Sequence, residues 1–241
     1  MGLVIGSFLN VCIYRIPKEE SIAYPPSHCG NCGENIKSYD LIPVISWILL
    51  RGKCRKCGQK ISCRYPLVEL FTAIMFLAIY ITYGYTLLTL KYIITATFLI
   101  VIGLIDYDTT DVYSCNTLPA IVIGLIFVGI NLYNGQEYLT YIIGGAIGFG
   151  VIALIVILTH GMGWGDAEIT LIGGLILGWK VTLIMLMMSF IIGAVSGTFL
   201  IVTKKKTRKD YMPFGPSIVA SIFICMFWGE NILQWYLGTF F

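Results

Sequence analysis

Two aspartates stand where a chain this apolar has little other use for charge. Asp106 comes 15 residues after Lys91, and Asp166 comes 14 residues before Lys180. If both intervals are helical at about 1.5 Å per residue, each carboxylate lies about 21 to 22 Å from the face marked by the two lysines. Two carboxylates at equal depth on two helices are the requirement for acid–base hydrolysis. Close carboxylates cannot both ionise cheaply, so they share one proton: the ionised member takes a proton from water while the other polarises a scissile carbonyl. No metal or covalent intermediate is needed. Asp166 closes the run Gly161-Met162-Gly163-Trp164-Gly165-Asp166, in which Gly163 and Gly165 remove side chains beside the acid and let another backbone approach. Asp108 is the rival for the first role, and Asp111 reads as a solvated loop residue.

A second cluster is made of sulfur. Cys29 and Cys32 form one Cys-x-x-Cys pair, Cys54 and Cys57 another, with 21 residues between the pairs. Each pair can place two thiolates on one tight turn, and two such turns complete a tetrahedral zinc site. Redox pairs and unrelated thiols are the other readings; a reducing cytoplasm argues against stable disulfides. A closed four-thiolate site has no open coordination position, so its zinc would be structural. Cys12, Cys115 and Cys225 lie in apolar runs and read as small buried hydrophobes, and His28 and His160 are too isolated for a role.

These groups need elements to hold them. With 57% hydrophobic and 12% charged residues in 241, and a mean hydropathy of +0.84, the chain cannot cover a soluble globule and belongs in a bilayer. A crossing helix needs about 20 mostly apolar residues. Leu70 to Leu90, Val112 to Gln136, Tyr138 to Gly165, Val181 to Thr203 and Tyr211 to Gly229 are uncharged and predict five spans. Tyr92 to Ile105 and Ile169 to Trp179 are shorter and must each borrow an aspartate. Met1 to Tyr14 predicts a short or truncated first span; it has neither the basic start nor the small-residue cleavage site of a signal peptide. The expected architecture is an all-α polytopic membrane protein of about eight spans with a small cytoplasmic zinc-knuckle-like domain. The expected division is a first membrane segment over 1–14, a Cys-x-x-Cys domain over 15–65 and a membrane domain over 66–241.

Of the 16 basic residues, nine lie between Arg15 and Arg64 and five are Lys204, Lys205, Lys206, Arg208 and Lys209. Eight spans place both segments on one side, which basic residues mark as cytoplasmic. Basic loops facing anionic lipid account for the net charge of +3, so the expected partner is membrane lipid and not nucleic acid.

Taken in order, these segments resemble the type IV prepilin peptidases, intramembrane aspartic proteases of the Gly-x-Gly-Asp class. The resemblance runs through Gly6-Ser7-Phe8-Leu9-Asn10-Val11 with Arg15 and Pro17, Pro26 with the two Cys-x-x-Cys pairs, and Ile42-Pro43. It continues through Arg64-Tyr65-Pro66-Leu67-Val68-Glu69, Gly163-Trp164-Gly165-Asp166 and Pro213-Phe214-Gly215-Pro216. It covers nearly the whole chain and carries the family's first catalytic Asp onto Asp106. Two positions depart: Tyr113-Ser114 replaces the family's Leu-Pro-Asp, and Glu168 stands where a Lys is common, reversing the local charge.

The resemblance implies a multi-pass protein of the bacterial inner membrane that removes the leader of prepilin and pseudopilin-like substrates. Such substrates have a basic leader, a Gly before the cut and a hydrophobic helix after it. It also implies methylation of the new amino terminus from S-adenosylmethionine, with Gly6, Asn10 and Glu69 as candidates for the methyl donor. The rival functions are a proton- or metal-coupled transporter, for which no internal repeat is found, and a membrane scaffold, which has no use for an acid at this depth.

Overall fold

The computed structural model describes residues 1–159, 161–204 and 212–240. Lys205, Lys206, Arg208, Lys209 and His160, noted above, lie outside the described residues. The described chain is helical, with two isolated bridges and no strand, and divides into two compact units, Met1–Tyr85 and Thr86–Phe241.

The first unit holds α1 (Gly2–Arg15), the short α2 (Ile45–Leu49) and α3 (Arg64–Tyr83). Glycine lets α1 and α3 meet. A Cβ on Gly2 would lie 2.7 Å from the Ala73 Cα, and one on Gly6 2.7 Å from the Glu69 Cα. Val68, Met75, Phe76 and Ile79 fill the buried face of α3, whereas Leu67, Leu70, Ile74, Leu77 and Ile81, spaced three and four apart, are exposed. An outward apolar stripe on a 20-residue helix is a lipid-facing surface. At the end of α1, buried Arg15 donates to the carbonyls of Ser21 (2.8 Å) and Pro25 (2.7 Å), folding the following loop back on the helix.

The second unit contains α4 (Leu87–Thr109), α5 (Ser114–Tyr133), α6 (Leu139–Thr159), α7 (Trp164–Leu177), α8 (Trp179–Val202) and α9 (Gly215–Phe240). Helix α7 is its centre: nine of its 14 residues are buried, and it packs on α5, α6, α8 and α9. Small residues bring α6 against it. A Cβ on Gly144 would lie 2.6 Å from the Gly174 carbonyl oxygen, and one on Gly148 2.5 Å from that of Thr170. Close backbone approach of this kind substitutes for the hydrophobic force that lipid cannot supply. At the far end of the same helix, buried Lys91 of α4 donates to the Ile176 carbonyl at 2.8 Å, with its ammonium 4.5 Å from the Tyr141 ring.

Among the described residues, six helices, α3 to α6, α8 and α9, are long and apolar enough to cross a membrane. The expected count of eight is not confirmed, because α1 and α7 have only 14 residues each. Boundaries also differ from the hydropathy runs. The run Leu70–Leu90 is divided by Gly84 (φ 64°), after which Thr86 caps α4 by accepting from the Thr89 amide. Gly178 (φ 81°) divides α7 from α8 in the same way. Lys91, expected as a boundary charge, is enclosed.

Candidate active site and metal centre

Asp106 lies in the last turn of α4 and Asp166 in the first turn of α7. Both are buried, at 3% and 5% exposure, and Gly215 of α9 packs against the carboxylate of Asp106 and against Ile169, one turn after Asp166 on α7. Asp108 and Asp111, by contrast, are exposed. Three local features position the pair. Gly163, in extended conformation at the N-cap of α7, donates its amide to Asp166 Oδ2 at 3.2 Å. A Cβ on Gly165 would lie 2.3 Å from the Val112 Cβ, so this glycine admits the loop between α4 and α5. The approaching group is a side chain and not the backbone expected from the sequence. One turn further on, Thr170 Oγ1 donates to the Gly148 carbonyl of α6 at 2.9 Å, fixing the depth of α7.

Three contacts at the site were not anticipated. Gly215, the first residue of α9, lies against Asp106: a Cβ there would be 2.5 Å from Oδ2 and 3.1 Å from the Ile169 Cδ1 of α7. Oδ2 is buried, and among the described residues no donor reaches it with hydrogen-bond geometry, although the Gly215 amide faces the carboxylate. Glu168 accepts a hydrogen bond from the buried Thr117 hydroxyl of α5, joining α5 to α7. The available signals were Gly215 inside the Pro213-Phe214-Gly215-Pro216 segment and Glu168 as a departure in charge. Neither named its partner.

In the first unit, the four cysteine sulfurs lie within 4.8 Å of one another. Each pair is built alike. The Cys29 amide donates to the Glu34 carbonyl (2.9 Å) and the Gly33 amide to the Cys29 carbonyl (2.9 Å). The Cys54 amide donates to the Gln59 carbonyl (2.8 Å) and the Gly58 amide to the Cys54 carbonyl (3.0 Å). Gly33 (φ 68°) and Gly58 (φ 71°) supply the positive φ that each turn needs. Zn–S bonds of about 2.3 Å in a tetrahedron put sulfurs about 3.8 Å apart, and Cys29 and Cys57 Sγ are 3.8 Å apart. Amides of Cys32 and Asn31 draw the Cys29 thiol down to about 6, and the Gln59 amide lowers Cys57. Cys32 is pushed up to about 11: the Glu34 amide acts to lower it, but desolvation and the neighbouring sulfurs prevail. Thiolates this crowded call for a cation, so the donor set fits zinc. Around it, Arg55 pairs with Asp40 through two hydrogen bonds (2.8 and 2.6 Å), and Lys56 pairs with Glu34.

Gly6, Asn10 and Glu69 also come together, between α1 and α3. Gly6 is covered by Glu69 and Thr72, the Asn10 amide donates to the carbonyls of Gly6 (3.3 Å) and Tyr65 (3.0 Å), and Glu69 Oε2 accepts from the Val44 amide at 2.7 Å. These contacts engage the Asn10 side-chain NH2 and one carboxylate oxygen of Glu69.

Comparison with known proteins gives matching results along both units. Residues 1–83 match the bacterial peptidase A24 N-terminal domain, and residues 93–198 match the type IV leader peptidase family. The chain is 34% identical to a prepilin leader peptidase/N-methyltransferase of Aeromonas hydrophila, over 99% of this chain and 92% of that protein. It is 33% identical to the Neisseria gonorrhoeae protein of that name (98% and 92%) and 30% identical to that of Bacillus subtilis (98% and 95%). No solved structure matches the chain.

Proposed function

Because the chain belongs to the type IV leader peptidase family, we propose that it is an intramembrane aspartic endopeptidase in which Asp106 and Asp166 cut the leader from prepilin and pseudopilin-like substrates. The observation that carries the assignment is the burial of both acids at the ends of α4 and α7, where the first residue of α9, Gly215, touches Asp106 and Ile169 together. A pair so enclosed holds one proton between its members. The ionised carboxylate removes a proton from water as it attacks the scissile carbonyl. The protonated one donates to the carbonyl oxygen and then, by the reverse exchange, a proton reaches the leaving amine. Gly163 orients Asp166, and Gly165 lets the loop carrying Val112 pack beside it.

The substrate is a protein with a basic leader, a Gly before the cut and a hydrophobic helix after it, presented at the cytoplasmic face of the bacterial inner membrane. Zinc held by Cys29, Cys32, Cys54 and Cys57 stabilises the Cys-x-x-Cys domain over 15–65 and takes no part in hydrolysis. Methylation of the new amino terminus, the second activity in the relatives' names, belongs to the same proposal. Gly6, Asn10 and Glu69 are the candidates for holding its methyl donor.

The test is cleavage of a model prepilin in liposomes by the parent protein and by Asp106→Asn, Asp166→Asn and Asp108→Asn. Loss of cutting in the first two and its retention in the third supports the pair. Full activity in either of the first two overturns it.

A further inference from the structure

Helix α2 is built inside out. Ser46 is buried, with its hydroxyl donating to the Tyr39 carbonyl at 2.9 Å, and the half-buried Trp47 donates its indole N–H to the Ile61 carbonyl at 3.2 Å. The polar groups of α2 thus face the domain. Its apolar side chains face away: Ile45, Ile48 and Leu49, at the three- and four-residue spacing of one helix face, are exposed at 53%, 61% and 76%. Leu41 and Ile42, just before it, are exposed too. A small zinc-knuckle domain facing only water has no reason to turn five large aliphatic residues outward.

The position of α2 is fixed by an unusual joint. Val44 has φ 62° and ψ −51°, a strained conformation for a β-branched residue, and is closed by an Ile45 amide to Pro43 carbonyl hydrogen bond of 2.6 Å. Its own amide donates at 2.7 Å to Oε2 of Glu69, itself buried. Glu69 is the sixth residue of α3, about 8 Å into that helix at about 1.5 Å per residue. The joint therefore holds the start of α2 at the level of the first two turns of a membrane-length helix, where Leu67 and Leu70 are also exposed. Immediately after α2 the chain turns through exposed Arg51 and Lys53, with Gly52 against the Trp47 ring. Apolar residues followed at once by cations suit the acyl boundary and the anionic headgroups above it.

We propose that α2 is an interfacial helix: Leu41, Ile42, Ile45, Ile48 and Leu49 enter the headgroup–acyl boundary of the bilayer that α3 crosses. Arg51 and Lys53 meet its anionic headgroups, so the zinc-knuckle domain lies against the membrane surface. Glu69 then has a role separate from any methyl donor, since it holds the strained Val44 joint that sets the depth of α2. The proposal rests on α3 spanning the membrane and is independent of the aspartate pair.

The test places the photocrosslinker p-benzoylphenylalanine singly at Ile48, Leu49, Leu67 or Gln59 of the full-length protein. Each variant is reconstituted in vesicles of phosphatidylethanolamine and phosphatidylglycerol and irradiated with and without a model prepilin; adducts are identified by mass spectrometry. Ile48 and Leu49 should give lipid adducts at yields like that of Leu67 and several-fold above that of exposed Gln59, with or without substrate. Lipid adducts no more frequent than at Gln59 overturn the proposal. So do adducts formed mainly with prepilin or with a second copy of the chain. Failure at Leu67 would instead refute the membrane placement of α3. Unchanged thermal unfolding of each variant excludes misfolding as the cause of a negative result.

Discussion

The ammonium of Lys91 donates a hydrogen bond to the carbonyl of Ile176 at 2.8 Å, joining the start of α4 to the end of α7. Those two helices carry Asp106 and Asp166 at their other ends, so one polar contact secures the pair of helices opposite the acids. The last carbonyls of a helix have no partner within it, and the negative end of its dipole favours a cation there.

Replacing Lys91 by Met leaves that carbonyl without the lysine and should destabilise the protein by about 1–3 kcal/mol. Thermal unfolding in detergent reads this loss, and Lys91→Arg, which restores a donor, should recover part of it. An unchanged midpoint in Lys91→Met would show that the contact contributes nothing.

Gly215→Ala puts a methyl group 2.5 Å from Asp106 Oδ2, closer than van der Waals contact permits. Either α9 or the carboxylate must shift. Displacing a catalytic group by about 1 Å can cost on the order of 10²-fold, so kcat for prepilin cleavage should fall by about that factor. If Gly215 acts through the carboxylate alone, KM should change much less. Gly150→Ala, where a Cβ meets nothing within 4 Å, is the control and should cleave normally.

Gly148→Leu drives a side chain into the Thr170 carbonyl and should separate α6 from α7, breaking the hydrogen bond that fixes the depth of Asp166. Both the unfolding midpoint and cleavage should fall, and neither should return in Gly148→Val. Recovery with Val would mean that the helices can part without consequence.

The four-thiolate site should bind one zinc per chain, measurable by elemental analysis, and lose it in Cys29→Ser. The crowded sulfurs are held apart in acidity, with Cys29 drawn down to about 6 and Cys32 pushed up to about 11, so the four do not all ionise at neutral pH. Metal binding at neutral pH must therefore release protons, and affinity should rise with pH and weaken as acidification protonates Cys29. A dye-monitored zinc titration with no proton release would contradict this picture.

How much of this could be read from the residues depends on whether the signal was local. The helical membrane architecture and the paired cysteines follow from runs and spacings inside single segments. The glycines that end helices within apolar runs, Gly84 and Gly178, have no signature in hydropathy, which is why the boundaries differ. Lys91 was visible as a charge, but its partner lies 85 residues away. Gly215 and Asp106 likewise meet only through the packing of α9 on α4 and α7. Spacing marked the aspartates; the groups that hold them are brought together by tertiary structure and could not be deduced from one chain.

Helix α7 is 14 residues long, yet it is surrounded by helices of 20 to 26 residues. At about 1.5 Å per residue it covers about 21 Å of a hydrocarbon layer about 30 Å thick. Helix α7 cannot cross such a layer by itself, so Asp166, in its first turn, is buried among neighbours longer than its own element, with Val112 of the loop after α4 packed beside Gly165. The acid therefore owes its place to the helices around it and not to a span of its own.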